Sequence, residues 1–591
     1  MSPIPITILL VFLGLTTSGA VAQDVPLNTR VKTLTAIFTD YWEDQLKHEP
    51  EFASSLGDNR YNDQLSDYSV QAYNESLSRG RGFLTRLAEV DTTGMPPQEQ
   101  LSKDLLVHEL IQNQQEARFK PWEMPVNQYN GLQVSLPELV PQLTFSSVKD
   151  YDDYIARLKK VPLAFQQITD DMSIGMDDHR EPPTYLMEKV VVQVNTIANE
   201  KPEDGPFAQP LKKFPASVSA TQQARIKQEL LAAIAGQVAP AYVRFGKFLK
   251  AQYIPGGRND PGVWALPDGD AYYRFLVKQS TTTDLTPEQI HQIGLDQVKQ
   301  DEDQLLTIAH KLGFADIKAL QNAATHNPKL FPTSKEQLLD AYRGYIDRMR
   351  PKLPQLFGRL PKAPLVVMPV PAYSERDKAA AYYDRGTPDG SRPGMVFVNT
   401  YQFETRSLTD VEDRAYHEGL PGHHLQISIA QELTGVPEFR KYLEYTAYTE
   451  GWGLYAEQLG KDVGFYQDPY SDYGRLEGDI WRAVRLVVDT GVHSQHWTRQ
   501  QMVDYFHNHS AVEESGVQAE VDRYIAWPAQ ALGYKVGQLK FLELRAKAQQ
   551  ALGDKFSLSA FHDEVLDSGA LPLDTLEQRV DSWIAQQKAQ K

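Results

Sequence analysis

Apolar residues recur at helical spacing over most of the chain. Leu34, Ile37, Phe38, Tyr41 and Trp42 form one such stripe, Leu105, Leu106, Leu110 and Ile111 a second, and Tyr151, Tyr154, Ile155 and Leu158 a third. Three- and four-residue steps place such positions on one helical face, so 31–238 is predicted to be mostly helical. The polar, Pro-rich stretch Glu200 to Phe214 is predicted to be a loop. Turn residues cluster from Tyr253 to Gly262 and mark a soft boundary. Thr286-Pro287-Glu288-Gln289 then reads as a helix start, with Thr286 as N-cap, Pro287 at the first helical position and Gln289 closing a capping box. That helix is expected to run to about Leu312, and another from Ser334 to about Arg350.

Strand signals are confined to 365–399. Leu365-Val366-Val367-Met368 and Gly394-Met395-Val396-Phe397-Val398-Asn399 are short runs rich in β-formers. They predict a hairpin or short sheet whose edge could take an extended peptide, with Asn399 as a candidate substrate contact. From Leu408 the pattern is helical again. The fold class is therefore mainly α. Three regions are expected: a signal peptide over 1–22, an N-terminal helical region over 23–255, and a second helical region over 256–591 that carries the chemistry.

The leader reading rests on the apolar run Ile6 to Leu15 and on Ala20-Val21-Ala22, an A-x-A cleavage pattern. It implies export, and a bacterial periplasm is the compartment it fits. No later stretch is long and apolar enough to span a bilayer. The 591 residues carry a net charge of −17, which argues against nucleic acid as a partner. They contain no Cys, which excludes disulfides, thiolate metal sites, a cysteine nucleophile and a lipidated cysteine.

The chemistry concentrates in His417-Glu418-Gly419-Leu420-Pro421-Gly422-His423-His424. Imidazoles are neutral donors to zinc, and an adjacent Glu can activate a metal-bound water. On an unbroken helix His424 would sit about 10 Å along the axis from His417, and His423 would be turned roughly 120° away. Zn–N bonds of about 2.0–2.1 Å forbid sharing a metal across such gaps. The helix must therefore break or bulge at Leu420-Pro421, where Pro and Gly permit it. A bulge would carry His423 to the place four residues after His417. The plain alternative is a helix end bearing surface histidines. Further on, Glu450 and Glu457 stand two turns apart on one helical face.

These residues resemble a bacterial family known as domain of unknown function 885, whose recurrent motif is His-Glu-Gly-x-Pro-Gly-His-His. The match extends to Thr286–Gly294, Asp389–Gly394, Thr449–Trp452 and Val488–His493. That family in turn resembles the gluzincin-type helical zinc peptidases: thimet oligopeptidases, the angiotensin-converting-enzyme group and thermostable carboxypeptidases. The resemblance implies one Zn2+ per chain, a helical shell around a deep channel, and short peptides as substrate. It implies His417 and Glu450 as ligands, with His423 or His424 as the other. It implies Glu418 as general base and Glu457 as the carboxylate that orients a liganding imidazole. Asp522-Arg523-Tyr524-Ile525 resembles the stretch in which a Tyr stabilises the oxyanion, so Tyr524 takes that role, with His493 and Tyr534 as competing donors. Arg482, Arg485 and Arg523 are candidates for a substrate carboxylate. Two other readings are carried along: a helical peptide-binding protein without turnover, and a metal-dependent hydrolase of another amide or an ester.

Overall fold

A computed structural model describes residues 25–371, 375, 379–387, 390 and 392–589. The leader over 1–22 and loop position Asp389 lie outside the described residues. The fold is mainly α, with one small sheet. Among the described residues, no helix is long and apolar enough to cross a membrane.

The N-terminal stripes bury as their spacing requires. Leu34, Ile37, Phe38, Leu106 and Leu110 close one cluster on Phe439. A separate cluster is built wholly from residues between Val126 and Tyr253. The predicted loop after Glu200 contains a 3-10 helix over Pro206–Lys212. Helix α1 (Pro287–Lys311) starts where the sequence placed it. The Thr286 hydroxyl accepts from the Gln289 amide at 3.3 Å, and Gln289 Oε1 accepts from the Thr286 amide at 2.9 Å.

The expected hairpin or short sheet is a three-stranded sheet. β1 (Leu365–Pro369) runs parallel to β3 (Gly394–Val398), and β2 (Ala381–Asp384) pairs antiparallel on the other side of β3. Central β3 alternates: Val396 and Val398 face the core, while Met395 and Phe397 are half-buried. Asn399 ends this strand inside the protein. Its amide donates to the Ala380 carbonyl, its Nδ2 donates to the Glu375 carbonyl at 2.6 Å, and its Oδ1 accepts from the Tyr401 amide. A wholly buried side chain with these bonds fastens loops to the strand and offers nothing to a substrate.

Six helices frame the site: α2 (Val411–Glu418), α3 (His423–Gln431), α4 (Thr446–Asp462), α5 (Pro469–Ser494), α6 (Glu514–Ala526) and α7 (Leu532–Leu552). Helices α4 and α7 cross in close contact because both carry glycine at the crossing. A Cβ on Gly537 would lie 1.9 Å from the Ala447 carbonyl oxygen, and one on Gly451 would lie 2.5 Å from Gly537 Cα.

Behind α4 lies His562, wholly buried among Trp452, Tyr455 and Phe357. Its Nδ1–H donates to the Leu356 carbonyl and its Nε2 accepts from the Tyr455 hydroxyl, both at 2.8 Å. Burial pushes its pKa down to about 3. The unfolded chain therefore binds this proton first, near pH 6.5, and stability is lost as pH falls from there towards 3 at up to about 1.4 kcal/mol per pH unit. His562→Gln is expected to melt lower at pH 7 yet lose less stability between pH 6 and 4. Melting temperature against pH checks this; an unchanged acid slope would contradict it.

Candidate metal centre

Helix α2 ends at Glu418 and α3 begins at His423, with a turn over 419–422 that includes a cis Leu420–Pro421 peptide. The motif therefore breaks into two helices and does not bulge within one. Two close contacts fix the break. A Cβ on Gly422 would lie 1.9 Å from the His417 carbonyl oxygen, so only glycine fits there. The Trp452 indole N–H of α4 donates to the Pro421 carbonyl at 3.0 Å.

The break brings His423, and not His424, to the partner position. Glu450 Oε2 lies 3.4 Å from His417 Nε2 and 3.5 Å from His423 Nε2. One ligand atom from each of the three lies within 4.8 Å of the others. Two ligands bound about 2.0–2.1 Å from one tetrahedral ion stand roughly 3.3 Å apart. The two measured carboxylate–imidazole separations match that edge. The donor set, two neutral nitrogens and a carboxylate, is one zinc accepts. Burial alone would raise the Glu450 carboxyl, but hydrogen bonds with both imidazoles outweigh it and hold it well below the carboxylate range. Burial likewise works against a charged His417, while Glu450 and Glu457 outweigh it and bring its pKa up to about 10. The group thus draws in positive charge, which a metal ion would supply.

Glu457 stands behind His417, its Oε1 2.8 Å from His417 Nδ1. A carboxylate there keeps Nδ1 protonated and leaves Nε2 free to donate its lone pair. Glu457 is in turn 3.6 Å from Arg482 Nη2. Asp413, buried beside it, is pushed well above the carboxylate range by burial and by the Glu457 charge. His417 reaches between the two carboxylates because Gly453 has no side chain: a Cβ there would lie 2.6 Å from Cε1 and 2.7 Å from Nε2 of the ring. In the sequence, Gly453 carries no signal beyond its place midway between Glu450 and Glu457. The His423 ring stands edge-on to His417, with centroids 4.7 Å apart.

His424 points to the sheet. Its Nδ1 is 3.1 Å from the Tyr383 hydroxyl of β2, and its Nε2 is 3.2 Å from the Ala363 carbonyl. Burial pushes its pKa down to about 4. It joins α3 to the sheet and stands apart from the group of His417, His423 and Glu450. Glu418 is partly exposed beside His417, and its side chain makes no hydrogen bond or ion pair with any other described residue.

Two expected oxyanion donors are engaged elsewhere. The Tyr524 hydroxyl donates to Glu520 Oε2 and accepts from Arg485 Nε at 3.0 Å. His493 is wholly buried: its Nδ1 accepts from the Val263 amide at 3.1 Å and its Nε2–H donates to the Tyr524 carbonyl at 3.0 Å. Burial pushes His493 down to about 3, so it stays neutral as a structural link. Tyr534 differs. It lies on α7 next to the glycine crossing, and its hydroxyl accepts from Arg523 Nη2 at 3.3 Å. Burial and then the Glu450 charge raise its pKa, and the turn of α7 that carries it packs through Gly533 and Gly537 on Ala447 and Gly451 of α4, next to Glu450 in the chain.

The chain is similar to a candidate lipoprotein from Colwellia psychrerythraea known from a crystal structure. The two are 29% identical over 94% of this chain and 100% of that chain, with a TM-score of 0.90. A candidate lipoprotein of unknown function from Shewanella oneidensis is 16% identical over 93% and 99%, with a TM-score of 0.71, and shows the fold alone. No curated protein matches the chain. The model of the family described as bacterial protein of unknown function (DUF885) matches residues 50–580, and the chain belongs to that family.

Proposed function

We propose that the chain is a zinc-dependent peptidase of short peptides, working outside the cytoplasm. The observation that carries this is the meeting of His417, His423 and Glu450 from three helices, with a partly exposed, unengaged Glu418 adjoining them. The order His417-Glu418, His423, Glu450 is the order of the zinc peptidases the sequence resembles. Both similar structures being candidate lipoproteins supports a place outside the cytoplasm, with the periplasm as the specific expectation.

Bound zinc supplies a Lewis acid and lowers the pKa of a coordinated water towards about 7. The rest is done by side chains. Glu457 fixes the tautomer of His417 and turns Nε2 towards Glu450. Glu418 accepts the proton of the attacking water and returns it to the leaving amine. The Tyr534 hydroxyl, which accepts from Arg523 through its oxygen, keeps its own proton to donate to the developing oxyanion. No nucleophilic side chain is needed.

Zinc-loaded protein is expected to hydrolyse a mixed pool of short peptides. A chelator should stop hydrolysis, and added zinc should restore at least about half of the rate. Mass spectrometry of the pool provides the readout. Hydrolysis indifferent to chelation would contradict the metal-dependent mechanism.

A further inference from the structure

Of the three arginines that could meet a substrate carboxylate, two are committed. Arg482 donates to the Gly478 carbonyl and lies against Glu457. Arg485 is buried, with Glu520 at 3.1 Å and Tyr524 at 3.0 Å. Arg523 is placed differently. Its Nη2 donates to two neutral acceptors, Gln530 Oε1 at 2.7 Å and the Tyr534 hydroxyl at 3.3 Å. Its nearest carboxylate oxygen, Glu520 Oε1, is 3.6 Å away from Nη1. Glu520 is already the partner of Arg485 and of the Tyr524 hydroxyl. The neighbouring Asp522 pairs instead with Lys189 and Arg499. Two guanidinium groups thus share one carboxylate, and the trio carries one unit of excess positive charge.

A largely buried cation is ordinarily paired. Arg523 keeps 18% of its side chain exposed, and the phenol it holds stands on α7, whose Gly537 packs on Gly451, the residue after Glu450. The guanidinium of Arg485 lies 4.4 Å from the centroid of that same Tyr534 ring and adds to the positive field there. A planar cation that shares its one carboxylate with Arg485, and holds the phenol of the α4–α7 crossing, fits the two oxygens of a carboxylate.

Resting on the peptidase reading above, we infer that Arg523 anchors the free carboxyl terminus of the substrate, so that the enzyme removes residues from the carboxyl end of short peptides. An extended chain advances about 3.3–3.6 Å per residue. A carboxylate held at Arg523, on the side of the site that Tyr534 lines, thus sets the cleaved bond near that end. Arg523 is then the residue that separates exopeptidase from endopeptidase action.

The test pairs an N-acetylated tripeptide bearing a free carboxylate with its carboxyl-amidated twin. Binding is measured by calorimetry on zinc-loaded Glu418→Gln protein, and hydrolysis on the zinc-loaded native chain. The free acid is expected to bind at least about 30-fold more tightly than the amide. Adding Arg523→Gln should bring the ratio close to one. Equal affinity for acid and amide in the single variant, or no binding of either, overturns the anchor without needing Arg523→Gln to fold. So does an acid preference that survives Arg523→Gln. Acid-selective binding without turnover by the native chain would keep the anchor and overturn the peptidase reading. Hydrolysis blind to the carboxylate would do the reverse.

Discussion

Glu418→Gln is expected to lower peptide hydrolysis by about 10³-fold while leaving metal content unchanged. A positioned acid–base group contributes about 10²–10⁴ in rate. Glu418 fits that role because nothing else holds it: it closes α2 next to His417, partly exposed, with no partner among the described residues. The amide of Gln preserves shape and removes the basic oxygen. The candidate ligands His417, His423 and Glu450 and the supporting Glu457 are untouched. Single-turnover rates with a short peptide, beside metal analysis of the same sample, provide the check. A loss below tenfold would remove Glu418 from the mechanism. Loss of metal would make it part of the ligand set.

Gly453→Ala is expected to weaken zinc binding by at least about 100-fold, against the local trend. Inside a helix, Ala is favoured over Gly by roughly 1 kcal/mol, so propensity alone predicts a more stable protein. The geometry opposes it. The new methyl would lie 2.6 Å from His417 Cε1 and 2.9 Å from its Nδ1. The ring is already fixed between Glu457 at 2.8 Å and Glu450 at 3.4 Å, and cannot yield without leaving one of them. Displacements of about 1 Å in such constellations cost on the order of 10²-fold. Competition with a zinc-binding dye measures the affinity. Native affinity combined with a raised melting temperature would show that the ring has room after all.

Much of this site was legible in the chain because its information is local. His417 and Glu418 stand out by spacing and donor chemistry, Glu450 and Glu457 take their roles from the family resemblance, and the Thr286 cap follows from four consecutive residues. The choice between His423 and His424 was not legible, since it depends on whether the helix bulges or stops. It stops because Gly422 lets the chain pass against the His417 carbonyl and Trp452 holds the Pro421 carbonyl. Tyr524 and His493 were misplaced for a related reason. A phenol and an imidazole look equally available until their partners are known, and those partners are Glu520, Arg485 and the Val263 amide. Glu520 lies one helical turn before Tyr524, so that bond could have been suspected. The sheet hid its topology because β1 and β3 pair in parallel across almost thirty residues, with β2 added on the far side. Asn399 was misread with it, as a substrate contact at an edge when β3 is the central strand.

The most direct measurement is zinc per chain, by mass spectrometry, in native protein and in the His423→Ala and His424→Ala variants, all purified without chelator. The account predicts about one zinc in the native chain, below about 0.1 after His423→Ala, and about one after His424→Ala. A native chain without stoichiometric metal, or a His423→Ala variant that keeps it while His424→Ala does not, would contradict the site.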